Sequence, residues 1–133
     1  MTGRDDRPAI ESSEALLARY QRAWSELDAD TIVELMTPDG VYEASFGPEP
    51  YGQRFVGREA IRRAVLGFKA GPNPGSHEYG ETYLFGSHAF ATWTSVQRGP
   101  DGTILASTHG CDFYELRDGL VARKVAYRKS LTR

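Results

Sequence analysis

Asp112 stands in the run Gly110-Cys-Asp-Phe-Tyr-Glu115, one carboxyl among apolar and aromatic neighbours on what reads as a strand. Loss of hydration raises the pKa of an acid so placed, and near neutral pH it can then donate a proton or a hydrogen bond. Tyr20 falls on an apolar helical stripe with Leu16, Leu17, Trp24 and Leu27, where a buried hydroxyl needs a polar partner. His109 and Cys111 are two residues apart and share a strand face, which is the beginning of a metal pair. Two ligands do not make a site, and no other group has matching spacing, so no metal is expected. The same alternation sends Asp112 to the face opposite His109 unless Gly110 introduces a bulge.

The elements that must position these groups follow a helix-then-sheet order. The stripe beginning after Ser13, with Glu14, Arg19, Arg22 and Glu26 on its other side, predicts an amphipathic first helix. Asp28-Ala-Asp-Thr31 offers cap residues, and Thr31 with Glu34 three residues later forms a capping-box pattern before Ile32, Val33, Leu35 and Met36, which predicts a short second helix. Pro38-Asp39-Gly40 breaks it, residues 41–46 read as a short strand, and the turn formers of 47–52 make either a lid or a plain connection. Ile61, Val65 and Phe68 predict a third helix starting near Gly57. Strand-like runs then cover 75–85, 88–98, 103–116 and 120–131, with Asp118-Gly119 as a hairpin turn. Such an order argues an α+β domain whose helices pack on one face of a strongly bent antiparallel sheet. The register at that hairpin leaves open which of Arg123, Lys124, Val125 and Tyr127 faces inward.

Length and composition bound the rest. The chain has 133 residues, 40% of them apolar, which predicts one globular domain over 13–133 behind a loose polar arm at 1–12. Its 16 basic and 18 acidic residues sum to −2, so no broad field would draw in nucleic acid or an anionic membrane. No run approaches the ~20 apolar residues of a membrane helix. The single cysteine fits a reducing compartment, and the cytoplasm is the expected location. Arg123, Lys124, Arg128, Lys129 and Arg133 follow Asp118 without an acid, a pattern that reads as the solvated side of a strand or as charge guarding an edge.

This element order, with Ala29-Asp-Thr-Ile-Val-Glu-Leu-Met36, Phe55-Val-Gly-Arg-Glu-Ala-Ile-Arg62 and Gly110-Cys-Asp-Phe-Tyr-Glu-Leu-Arg-Asp-Gly-Leu-Val121, resembles the nuclear transport factor 2-like superfamily. Within it, the chain looks most like the SnoaL-like polyketide cyclase and ketosteroid isomerase branch over about residues 13–130. The resemblance implies a cone-shaped curved antiparallel sheet wrapped around three helices and open over an apolar pocket. It also implies a homodimer through the outer sheet face. Members of the superfamily include isomerases, cyclases, dehydratases and epoxide hydrolases, and also binding proteins without chemistry.

Carried over residue by residue, Tyr20 falls where ketosteroid isomerases place an oxyanion-hole tyrosine, and Asp112 where they place the neutral aspartic acid beside it. Two donors converging in an apolar cavity stabilise an enolate or alkoxide oxygen. The isomerase base position is Ala44, which cannot act. The acids of limonene-epoxide hydrolases have no counterpart in Thr94-Ser-Val-Gln-Arg98 or Val125-Ala-Tyr-Arg128, and the cyclase histidine is missing from Ser95-Val-Gln-Arg-Gly99. His77 resembles a histidine of scytalone-dehydratase-like members and is the candidate base. Trp24, Phe46, Phe55, Phe68, Trp93 and Tyr114 are the expected substrate-binding residues. The reading is a cofactor-free enzyme, a cyclase, isomerase or dehydratase, acting on an apolar polyketide-, terpenoid- or steroid-like molecule. The alternative is a non-catalytic ligand-binding or dimeric accessory protein, which Ala44 and the incomplete constellations motivate.

Overall fold

A computed structural model describes residues 11–71, 75–130 and 132. Helix α1 (Ser13–Glu26) opens at Ser12, whose Oγ accepts from the backbone N–H of Ala15. It closes at Leu27 in the left-handed conformation. Leu16, Leu17, Tyr20, Ala23 and Trp24 form its buried face. Glu11 pairs with Arg19 on the exposed side, while positions 1–10 of the expected arm lie outside the described residues.

Helix α2 (Ala29–Glu34) is capped by Asp28, the first of the cap residues offered by positions 28–31. The Asp28 carboxylate accepts from both the backbone N–H and the hydroxyl of Thr31, so the helix begins earlier than the capping-box pattern suggested. Strand β1 (Met36–Glu43) runs through Pro38-Asp39-Gly40 instead of starting after it. A register break between Met36 and Val41 absorbs the proline, which has no N–H for the ladder. A short strand not foreseen in the sequence, β2 (Arg54–Val56), pairs antiparallel with β1. Helix α3 (Arg58–Lys69) starts directly after Gly57.

The remaining strands are β3 (Ser76–Phe85), β4 (His88–Arg98), β5 (Ile104–Arg117) and β6 (Leu120–Arg128). The last stops short of position 131, and Leu131 lies outside the described residues. The sheet order is β2-β1-β6-β5-β4-β3. The meander from β3 to β6 is antiparallel, whereas β1 joins β6 in parallel, a pairing that a sequence without long-range contacts does not announce. The result is the expected α+β architecture, a curved sheet closing over three helices with one core between them.

Two bulges set which side chains enter that core. In β3 the register shifts between Tyr79 and Thr82, so both residues point inward across Gly80 and Glu81. In β6, Val121 pairs with Leu116 but Arg123 pairs with Glu115, which leaves Ala122 as an extra residue. A bulge of this kind reverses the alternation of everything beyond it.

Candidate functional site

The cross-strand register divides the sheet into an inner row and an outer row. Tyr79 pairs with Trp93 and Trp93 with Gly110, while Ala91, Asp112 and Ala126 stand side by side on β4, β5 and β6. Alanine on both sides of Asp112 leaves room for larger side chains to fold over it. Phe90, Phe113, Cys111, Tyr127 and His109 belong to the outer row. The pairing runs unbroken past Gly110, so His109 stays on the outer face.

Asp112 is fully buried at 0% exposure. Oδ1 accepts from Trp93 Nε1 at 2.9 Å, and Oδ2 accepts from Tyr114 Oη at 3.0 Å and Tyr79 Oη at 3.2 Å. Lys124 Nζ stands 3.8 Å from Oδ2, an ion-pair distance. An indole N–H and an ammonium can only donate, so this surrounding uses the carboxylate as an acceptor. That differs from the sequence expectation of a neutral acid offering its proton to the pocket. Burial, and then the charge of Asp112, push the hydroxyls of Tyr79 and Tyr114 well above the usual tyrosine range, so both remain donors.

Lys124 is the group that the sequence left undecided. The Ala122 bulge turns it inward, opposite Tyr114, and sends Arg123 outward to pair with Glu43 at 3.0 Å. Lys124 is 3% exposed, with Nζ 3.4 Å from the Trp24 ring centroid and 4.8 Å from that of Tyr42. Aromatic faces attract a cation, which lowers the cost of burying it. Desolvation still outweighs the attraction of Asp112 and brings the ammonium down to about 8. The solvated basic strand read from the sequence is corrected at this residue: β6 lies inside the sheet, between β1 and β5.

A cavity of about 190 Å³ opens above Lys124. Trp24, Tyr42, Phe46, Phe68 and Trp93 form its walls, His77, Ser95 and Gln97 supply polar groups, and Arg128 also borders it. His77 packs edge-on against Trp93, with ring centroids 4.4 Å apart, and its buried Nδ1 has no partner among the described residues. Burial, helped by the charges of Lys124 and Arg128, lowers its pKa to about 3, so the imidazole is neutral near pH 7. A larger open groove of about 700 Å³ lies against the outer row at Phe90, Thr92, Cys111 and Tyr127. It does not reach Asp112 or Lys124.

Several expected site residues meet here and several do not. Trp24, Phe46, Phe68, Trp93 and His77 line the cavity, whereas Phe55 stacks behind Tyr42 and Tyr114 is buried behind Asp112. Tyr20 does not pair with Asp112. Its Oη donates to Met36 Sδ at 3.4 Å, because the helical stripe points it into the core away from the cavity. Lys124 and Tyr79 were missed as site residues, and only the two bulges would have revealed them. The 47–52 segment is held against itself by paired backbone hydrogen bonds between Glu49 and Gly52, as a compact connection beside Phe46. Among the described residues no group of three or more His, Cys, Asp or Glu could hold a metal, and no helix is long and apolar enough to cross a membrane.

The family model for the SnoaL-like domain matches residues 17–124. Among solved structures, a protein of unknown function with this fold from Mesorhizobium loti is 24% identical, covering 96% of this chain and 98% of its own, with a TM-score of 0.71. A protein of ketosteroid isomerase-like fold from Catenulispora acidiphila, crystallised with trimethylamine, is 16% identical over 90% of this chain and 88% of its own, TM-score 0.73. A candidate polyketide cyclase from Sinorhizobium meliloti is 25% identical over 84% of this chain and 92% of its own, TM-score 0.65. No curated protein matches by sequence. A match over most of the chain, joined to this architecture, shows that the chain belongs to the SnoaL-like domain family of the nuclear transport factor 2-like superfamily.

Proposed function

We propose that the protein is a small-molecule enzyme that carries out acid–base chemistry in the inner cavity: cyclisation, isomerisation or dehydration of an oxygenated ligand. The observation that carries this reading is a buried ammonium beside the same cavity as an imidazole held neutral. Environments that separate two titratable groups in this way assign an acid and a base. Lys124 donates to the ligand oxygen that gains negative charge, and His77 supplies the neutral imidazole on the cavity wall that takes and returns the proton. Asp112 positions Lys124 and balances its charge, with Trp93, Tyr79 and Tyr114 fixing the carboxylate.

Cavity size narrows the ligand. A void near 150 Å³ accepts about one benzene ring, whereas drug-sized ligands occupy roughly 300 Å³ or more. The 190 Å³ here suits a single ring with short substituents and is small for the steroid-like end of the expected range.

Titration with 4-nitrophenol, at a pH below its own pKa, tests the reading. Binding that draws out phenolate absorbance in the wild type, weakened in Asp112→Asn and lost in Lys124→Met, is the expected result. Neutral binding, equal in all three, would leave an apolar container and remove the catalytic reading.

The outer face supports a second proposal, a homodimer. Tyr83, Phe90, Phe113 and Tyr127 form a continuous aromatic strip across β3 to β6, with successive centroids 6.3, 5.1 and 6.0 Å apart. Phe113 is 44% and Tyr127 56% exposed, which leaves an aromatic patch on the outer face open to a second copy. Cytoplasmic location is proposed with it, since Cys111 sits beside this strip without a disulfide partner.

A further inference from the structure

We infer that Lys124 is a nucleophilic amine that forms an imine with a small aldehyde or ketone held in the inner cavity. The inference rests on the reading above only in placing a substrate there. Nζ is buried against Trp24 and Tyr42 at the cavity, and its nearest acceptor, Asp112 Oδ2, is 3.8 Å away. That spacing is too long for a direct hydrogen bond, and no other acceptor holds the amine among the described residues. A lysine in an apolar pocket keeps a larger neutral fraction at mild pH, which is how amines are activated toward carbonyls. Burial acts in this direction here, bringing Lys124 to about 8.

The bonds and protons balance without a cofactor. The lone pair of the neutral amine attacks the carbonyl carbon, a C–N bond forms, and the C=O π pair moves to oxygen, which takes up a proton. The carbinolamine then loses its hydroxyl as water, and the nitrogen lone pair closes the C=N bond. Overall, ammonium plus carbonyl yields iminium plus water. The iminium acidifies the neighbouring C–H, and removal of that proton by the neutral His77 imidazole on the cavity wall gives an enamine. The base then acts on a substrate held covalently by Lys124, whose iminium replaces the ammonium as the electron-withdrawing group.

The chain contains three lysines, and Lys69 and Lys129 are exposed, so they serve as internal references. The full chain is incubated near pH 7 with cyclohexanone and cyanoborohydride, which delivers hydride to an iminium and fixes it as a cyclohexyl amine. Peptide mapping by mass spectrometry reads the site. Labelling of Lys124 should exceed that of Lys69 or Lys129 by about tenfold, since each pKa unit by which burial lowers an amine multiplies its neutral fraction about tenfold. Labelling of Lys124 no greater than the exposed lysines overturns the inference.

Lys124→Arg keeps a cation beside Asp112 but has no amine able to condense, so it should lose the adduct. Should that variant not fold, excess 4-nitrophenol added to the wild type replaces it. Suppressed labelling at Lys124 with Lys69 and Lys129 unaffected supports the inference, and unsuppressed labelling counts against it. Absence of the adduct with the phenolate response intact removes the imine and leaves the acid–base reading standing. The adduct without the phenolate response does the reverse.

Discussion

The indole of Trp93 occupies the space where a side chain on Gly110, its cross-strand partner, would stand. This overlap lets Nε1 reach Asp112 Oδ1, two residues further along β5, at 2.9 Å. Gly110 is therefore required by close approach, not by backbone conformation. In Gly110→Ala the methyl group meets the ring and the backbone oxygen of Tyr127. Overpacking of this kind costs about 1–3 kcal/mol, to be read as a lowered urea midpoint, and the displaced ring should also weaken phenolate binding. An unchanged midpoint would mean that the ring has another place to go.

Asp112 and Lys124 should prove strongly coupled. Removing one partner of a buried pair costs roughly 3–5 kcal/mol because the other is left charged and alone. Asp112→Asn is expected to lose that much in denaturant unfolding. Adding Lys124→Met to it should restore part of the loss, and strictly additive effects in the double-mutant cycle would show that the pair is not a unit.

Two residues set opposite limbs of the pH–stability curve. His77 titrates at about 3 when folded against 6.5 when free, so on acidification between these values the unfolded chain binds a proton that the folded chain refuses. Stability should fall there with a slope approaching about 1.4 kcal/mol per pH unit, and His77→Phe should flatten that limb. Lys124 has its folded value near 8 against 10.5, so its penalty is complete below 8 and is relieved as pH rises toward 10.5. Lys124→Met should abolish that alkaline gain in urea titrations.

Tyr20→Phe should leave the phenolate response of the cavity unchanged, since the Tyr20 hydroxyl donates to Met36 Sδ and not to Asp112. Loss of one such bond costs about 1 kcal/mol or less. A marked loss of phenolate binding would return Tyr20 to the site.

The aromatic strip makes its own prediction. Light scattering should give a dimer at micromolar concentration, and Phe113→Glu, which places a charge in the middle of the strip, should give a folded monomer. A wild-type monomer would set the dimer aside.

Much of the fold was legible from local physics. The stripe Leu16, Leu17, Tyr20 and Trp24 fixed the first helix, Asp118-Gly119 fixed the last turn, and alternation placed Asp112 inward with His109 outward. These depend on neighbours within a few residues, which a sequence displays directly. The parallel joining of β1 to β6 was not legible, because strands far apart in the chain carry no mark of each other.

The site depended on less still. The Asp118-Gly119 turn, continued without interruption, would pair Tyr114 with Arg123 and turn that arginine inward. The single extra residue Ala122 turns Lys124 inward instead and releases Arg123 to Glu43. Composition and pattern decided that a carboxylate would be buried on β5. Only the assembled sheet decided that a lysine would face it, because strand alternation has a period of two and one bulged residue reverses its sense.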